Sequence, residues 1–248
     1  MSNIAILELN GQKYEFPTIV GSENEVAIDI EKLRALTGAI TIDSGYKNTG
    51  SCTSAITYLD GERGILRYRG YAIEDLADKA SFLEVSYLLI FGELPTKKQL
   101  EKFENDIRKY TLVHEDMKNV IDGFPKTAHP MGILASLMSA LTAFNPKTVN
   151  VEDEEEMYQA VCKTLGKFLV IASWTYRKRE GYPLNYYNNE LGYVENFLHL
   201  MFKLPTGPYK INPKVVNALD KLFILHADHE QNCSASTVRM VGSSHAGL

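Results

Sequence analysis

The feature that most constrains this fold is the run Glu152–Glu180, the longest helical pattern in the chain. It begins Glu-Asp-Glu-Glu-Glu and ends Arg177-Lys178-Arg179. Acid at the start and base at the end complement the helix macrodipole. Shorter helical patterns surround it. Glu74–Lys79 is one, and Phe82–Phe91 is another, stopped by Gly92 and Pro95. Thr96 followed by Gln99 reads as a capping box for a helix to about Tyr110. His129-Pro130 opens an apolar helix to about Phe144. Leu191–Phe202 is helical, and Asn212-Pro213 pairs an N-cap with a first-turn proline. That last helix runs through Leu219, Leu222 and Leu225 to two histidines.

Strand signals gather at the front. Asn10-Gly11 between apolar runs predicts a hairpin, because both residues tolerate positive φ. A second hairpin is expected over Ser54–Gly70, turning near Asp60-Gly61. The fold class is therefore mainly α, with a β-containing segment over residues 1–70 and a helical part over 71–248. Gly242–Leu248 reads as the opening of a further helix and not as a natural end.

The net charge of -5 gives no general attraction to nucleic acid or anionic lipid. The cysteines Cys52, Cys162 and Cys233 form no CxxC pair, which reads as free thiols in a reducing compartment. The N-terminus has no apolar run of the kind a secretory signal needs. Pro130–Phe144 is too short to span a bilayer and is broken by Ser136, Ser139 and Thr142. A soluble cytoplasmic protein is expected.

His226 and His229 lie three apart, which in a helix puts both imidazoles on one face. Such a pair can grip a small dicarboxylate, by donation and, when protonated, by charge. Core histidines bonded to backbone are the alternative. Metal ligation fits less well, because the motif is not HExxH and no third ligand stands at a recognised spacing. Arg63, Arg67 and Arg69 suit an anion or surface ion pairs, with Arg67 and Arg69 on one side of a strand. Arg177–Arg179 is accounted for by the helix C-terminus. Met131 and Met138 are expected in the core. No GxGxxG opening a helix, GxSxG or Walker pattern is present.

Several stretches, taken in order, resemble the citrate synthases, and in particular the bacterial type II enzymes. They are Gly50-Ser51-Cys52, ITYLDGERGILRYRGY at Ile56–Tyr71, LEVSYLLIFGELP at Leu83–Pro95 and His129-Pro130-Met131. NFLHLMF at Asn196–Phe202, Asn212-Pro213 and ILHADHEQNCSASTVRMVGSS at Ile224–Ser244 complete the set. The resemblance implies a large helical domain closing with a small one, subunits paired as a homodimer or a hexamer, and condensation of acetyl-CoA with oxaloacetate. Acetyl-CoA enters as substrate, and no cofactor is implied. By position, His229 contacts oxaloacetate, His226 is its neighbour in the pocket, and Asn232 supports the loop. The family's proton-transfer histidine and aspartate, and the arginines that hold oxaloacetate, are expected after Leu248. His114, His129, His199 and His245 do not match those motifs. This chain alone is therefore expected to be inactive.

The bacterial type also carries an allosteric NADH site, which maps to Lys109, Tyr110, Thr111, Lys163 and Lys167. Tyr110 stands where that type often has histidine, and Thr206 where some members have a reactive cysteine. Solvent-facing helix lysines are the other reading of this set. Three further readings are carried forward: a 2-methylcitrate synthase using propionyl-CoA, a non-catalytic helical scaffold of the same fold, and a metal-binding helical protein.

Overall fold

The computed structural model describes residues 4–145 and 149–243. The part of the expected terminal helix over 244–248 lies outside them, as do residues 146–148 of the loop after Phe144. The chain divides into two compact units, Met1–Ser54 and Ala55–Leu248.

In the first unit, β1 (Ile4–Leu9) and β2 (Gln12–Val20) form the expected hairpin, and β3 (Val26–Ile28) extends the sheet antiparallel to β2. Asn10 and Gly11 take φ of 54° and 79°. This is the two-residue turn whose twist matches that of the strands. The short helix α1 (Leu33–Thr37) closes on left-handed Gly38.

In the second unit, β4 (Thr57–Asp60), β5 (Ile65–Tyr68) and β6 (Tyr71–Ala72) form an antiparallel sheet in the order β4-β5-β6. Helices α2 (Ile73–Lys79), α3 (Phe82–Phe91), α4 (Lys97–Lys109), α5 (Met117–Asp122) and α6 (Pro130–Phe144) follow. They lead to α7 (Glu154–Glu180), α8 (Tyr193–Phe202), α9 (Pro213–Leu225) and α10 (Cys233–Gly242). The mainly helical class stands. Residue 70 marks a change in secondary-structure content, whereas compactness changes at Ser54, because β5 shares a core with α2, α3 and α9.

Local chemistry explains the helix limits. Ser81 and Glu84 cap α3 reciprocally, as Thr96 and Gln99 cap α4. Gly92 ends α3 at φ 95°. The Asp153 carboxylate accepts from Glu155 N and Glu156 N to start α7. Helix α7 packs against α4, α6 and α8. Trp174, Leu169 and Ile171 join Ile133 and Leu137 of α6 and Leu200 of α8 in one cluster.

Three expectations are corrected. Met131 is 62% exposed, because the buried face of α6 runs through Ile133 and Leu137. Two residues advance a helix by about 200°, which turns Met131 away from Ile133. Arg177 is fully buried and does more than complement the end of α7. Its Nε donates to Pro183 O, and its Nη1 donates to Met201 O and Lys203 O at 2.9 Å each. Arg69 does not share a strand face with Arg67. It has left β5 at φ 50°, forms the β5–β6 turn with Gly70, and donates from Nη2 to Leu89 O at 2.8 Å.

Candidate functional site

Helix α9 starts at the expected cap, with the Asn212 side chain accepting from Lys214 N at 3.0 Å. It ends at Leu225, and His226 is its C-cap at φ -106°. His229 therefore lies beyond the helix, and the expected i, i+3 face does not exist. The segment from His226 to Asn232 links α9 to α10.

This segment is fastened from behind by the β4–β5 hairpin. The Thr57 hydroxyl donates to Asp228 Oδ2. Leu59 N donates to Glu230 Oε1 at 2.7 Å. The hydroxyl of fully buried Tyr68 lies 2.8 Å from Asp228 O and 3.1 Å from Ile224 O, and accepts from Asp228 N at 3.2 Å. Burial, working against the hydrogen bond with the Asp228 backbone, pushes the Tyr68 hydroxyl above the ordinary phenol range, so it stays a neutral donor. Glu230 adopts φ 71°, in the left-handed region.

With Asp228 and Glu230 turned to the hairpin, His226 and His229 remain exposed. His226 Nδ1 lies 2.8 Å from Leu222 O, and a carbonyl only accepts, so Nδ1 carries the proton and Nε2 holds the lone pair. His229 Nε2 lies 3.2 Å from the Asn232 amide nitrogen, which donates, so the neutral ring carries its hydrogen on Nδ1. The same Asn232 accepts from Ala235 N at 2.9 Å and thereby caps α10. One side chain thus sets the start of a helix and the orientation of an imidazole.

No local pattern marks Thr57 as part of this arrangement. Tyr68 could have been found from strand alternation, which puts a tyrosine on the inward face of β5 with a hydroxyl in need of a partner.

The residues expected for NADH gather at the end of α4 and the middle of α7 but line two different clefts. Lys109 and Thr111 border one of about 250 Å³, and Lys163 and Lys167 border one of about 460 Å³. Lys109 pairs with Asp106 at 2.7 Å. The Thr111 hydroxyl donates to Arg108 O at 2.9 Å. The Lys163 ammonium stands 5.4 Å from the Tyr110 ring centre. Lys167 donates to Leu112 O at 2.7 Å, and burial, then Lys163, lower its pKa. The α4 end and α7 meet at Gly166, where an added Cβ would come 2.8 Å from Ile107 O. Cys162 is buried and its thiol is pushed up to about 11, chiefly by burial, which keeps it protonated and unreactive. Among the described residues, no group of three or more His, Cys, Asp or Glu could hold a metal ion, and no helix is long and apolar enough to cross a membrane.

Known proteins share this fold. The fold is similar to that of the Pyrobaculum aerophilum citrate synthase, with a TM-score of 0.72 and 32% identity over 84% of this chain and 52% of that one. It is also similar to the Thermoplasma acidophilum citrate synthase solved in ternary complex with carboxymethyl coenzyme A and oxaloacetate. There the TM-score is 0.75 at 25% identity, over 82% of this chain and 52% of that one. The architecture is thus that of a family of acyltransferase enzymes. Residues 45–248 match the family described as citrate synthase, C-terminal domain, and the chain belongs to the citrate synthase family.

Among curated relatives, the citrate synthase of Corynebacterium glutamicum is 49% identical over 247 residues, covering 100% of this chain and 56% of that protein. Citrate synthase 1 of Mycobacterium tuberculosis is 48% identical over 244 residues, covering 98% and 57%. The chain spans little more than half the length of these relatives.

Proposed function

We propose that this chain is the part of a cytoplasmic citrate synthase that holds one edge of the oxaloacetate site. The whole protein then condenses acetyl-CoA with oxaloacetate and water to give citrate and CoA. The observation that supports this most is the pair of exposed imidazoles on a segment whose carboxylates are turned away and bonded to the hairpin. The segment presents nitrogen to solvent, which suits a substrate with two carboxylates and a ketone.

In this reading His229 donates from Nδ1–H to an oxaloacetate oxygen while Asn232 holds its other nitrogen. His226, once protonated at Nε2, adds a charge-assisted hydrogen bond to a carboxylate. The enol of acetyl-CoA attacks the ketone carbon, and hydrolysis of the thioester releases CoA. The groups that move the methyl proton are supplied from outside these 248 residues, so the chain by itself does not turn over. The whole protein works as a homodimer or hexamer. NADH, if it inhibits, engages Lys163 and Lys167 with its diphosphate, since the Lys109 charge is already paired.

The test is CoA release by the protein isolated from its natural source, with acetyl-CoA and propionyl-CoA compared in the presence of oxaloacetate. Acetyl-CoA should be the better substrate; preference for propionyl-CoA would mean a 2-methylcitrate synthase, and no release would mean a scaffold. His229→Gln, introduced in the native gene, should raise the oxaloacetate KM about tenfold or more. An unchanged KM would remove His229 from the site.

A further inference from the structure

We infer that the β4–β5 hairpin is a positioning platform for the histidine segment, and that Thr57, through Asp228, sets the affinity for the oxo acid without touching it. The inference rests on the reading of His226 and His229 as ligands of that acid.

Four features carry it. The helical hydrogen-bond ladder reaches only as far as His226, whose N–H bonds Leu222 O at 3.2 Å, and does not hold His229. Beyond it, the contacts to the hairpin come from Thr57, Leu59 and Tyr68, residues 160 to 171 positions earlier in the chain. These contacts fall on the residues that flank His229 on either side, Asp228 and Glu230, so the imidazole between them is directed outward. Finally, Tyr68 is itself anchored. It precedes the Arg69-Gly70 turn, where φ is 50° and 88°, and packs in the core with Ile73, Leu88 and Ile224. The platform is therefore rigid where the segment is not self-supporting. Thr57 and Tyr68 are positioning residues. Losing one hydroxyl leaves the Asp228 carboxylate to find another partner, and the His229 ring turns with it.

The experiment compares Thr57→Val with Thr57→Ser in the protein from its natural source, with His229→Gln in parallel. Valine keeps the shape of threonine and removes the donor, whereas serine keeps the donor. Thr57→Val should raise the oxaloacetate KM roughly three- to tenfold, with the acetyl-CoA KM unchanged and the thermal midpoint close to native; Thr57→Ser should restore the native KM. A merely structural role would lower the midpoint and the active fraction while leaving the KM alone. Should Thr57→Val fail to fold, Glu230→Ala serves instead. It removes the exposed acceptor of Leu59 N and should shift the oxaloacetate KM in the same direction. A native KM in these variants, or equal shifts for valine and serine, overturns the platform if His229→Gln has raised the KM. If His229→Gln leaves the KM unchanged, the reading of the site fails instead.

Discussion

Helices α7 and α10 belong to the same compact unit and are held in opposite ways. Helix α7 buries residues from Cys162 to Arg177, Trp174 and Ile171 among them. Helix α10 buries none, and exposes Val238, Met240 and Val241. The first is positioned by shape, since close-packed neighbours on several sides leave one arrangement. The second follows a segment that is positioned by a few hydrogen bonds to single polar atoms of the hairpin. The difference suits their tasks. A packed residue cannot meet a solute, whereas an imidazole on a segment fastened from behind can. The cost is that one polar group carries what many contacts carry elsewhere.

The comparison can be broken at either end. The largest effect is expected from Trp174→Ala. It empties the centre of the α6–α7–α8 cluster and removes the indole donor that bonds Asn185 O at 2.8 Å. The expected loss is about 3–5 kcal/mol, read from urea unfolding. A loss below about 1 kcal/mol would show that α7 is not positioned by this packing.

Gly166→Ala sharpens the same point. The added carbon would press on Ile107 O and Thr111 N at the end of α4, where backbone cannot yield as a side chain would. A cost of about 1–3 kcal/mol is expected, although alanine is the better helix former by nearly 1 kcal/mol. A stabilised variant would mean that α4 and α7 separate without penalty. The smallest effect belongs to the exposed end. Asn232→Ala should cost about 1 kcal/mol as a lost cap, and should also free His229 Nε2, seen as a changed imidazole signal by NMR. An unchanged His229 signal would separate the cap from the site.

Much of the fold was legible because helix ends and tight turns are local events. Thr96 with Gln99, Asn212 with Pro213 and Asn10 with Gly11 act on atoms a few residues away, and each behaves as its spacing predicts. The candidate site was legible in its residues but not in its geometry. The i, i+3 argument for His226 and His229 holds only while a helix continues, and this one stops at Leu225. Asp228 and Glu230 then meet partners on the hairpin.

By itself, then, the sequence determined a mainly helical chain, the limits of most of its elements, and a family motif with two histidines and an asparagine. The tertiary structure alone decided that those histidines stand outside a helix, that Thr57 and Tyr68 face them from behind, that Arg177 is buried among backbone carbonyls, and that Gly166 lets two helices touch. The physical reason is range. Caps and turns are satisfied within a few residues, whereas these four outcomes depend on atoms brought together from distant parts of the chain, which no local pattern encodes.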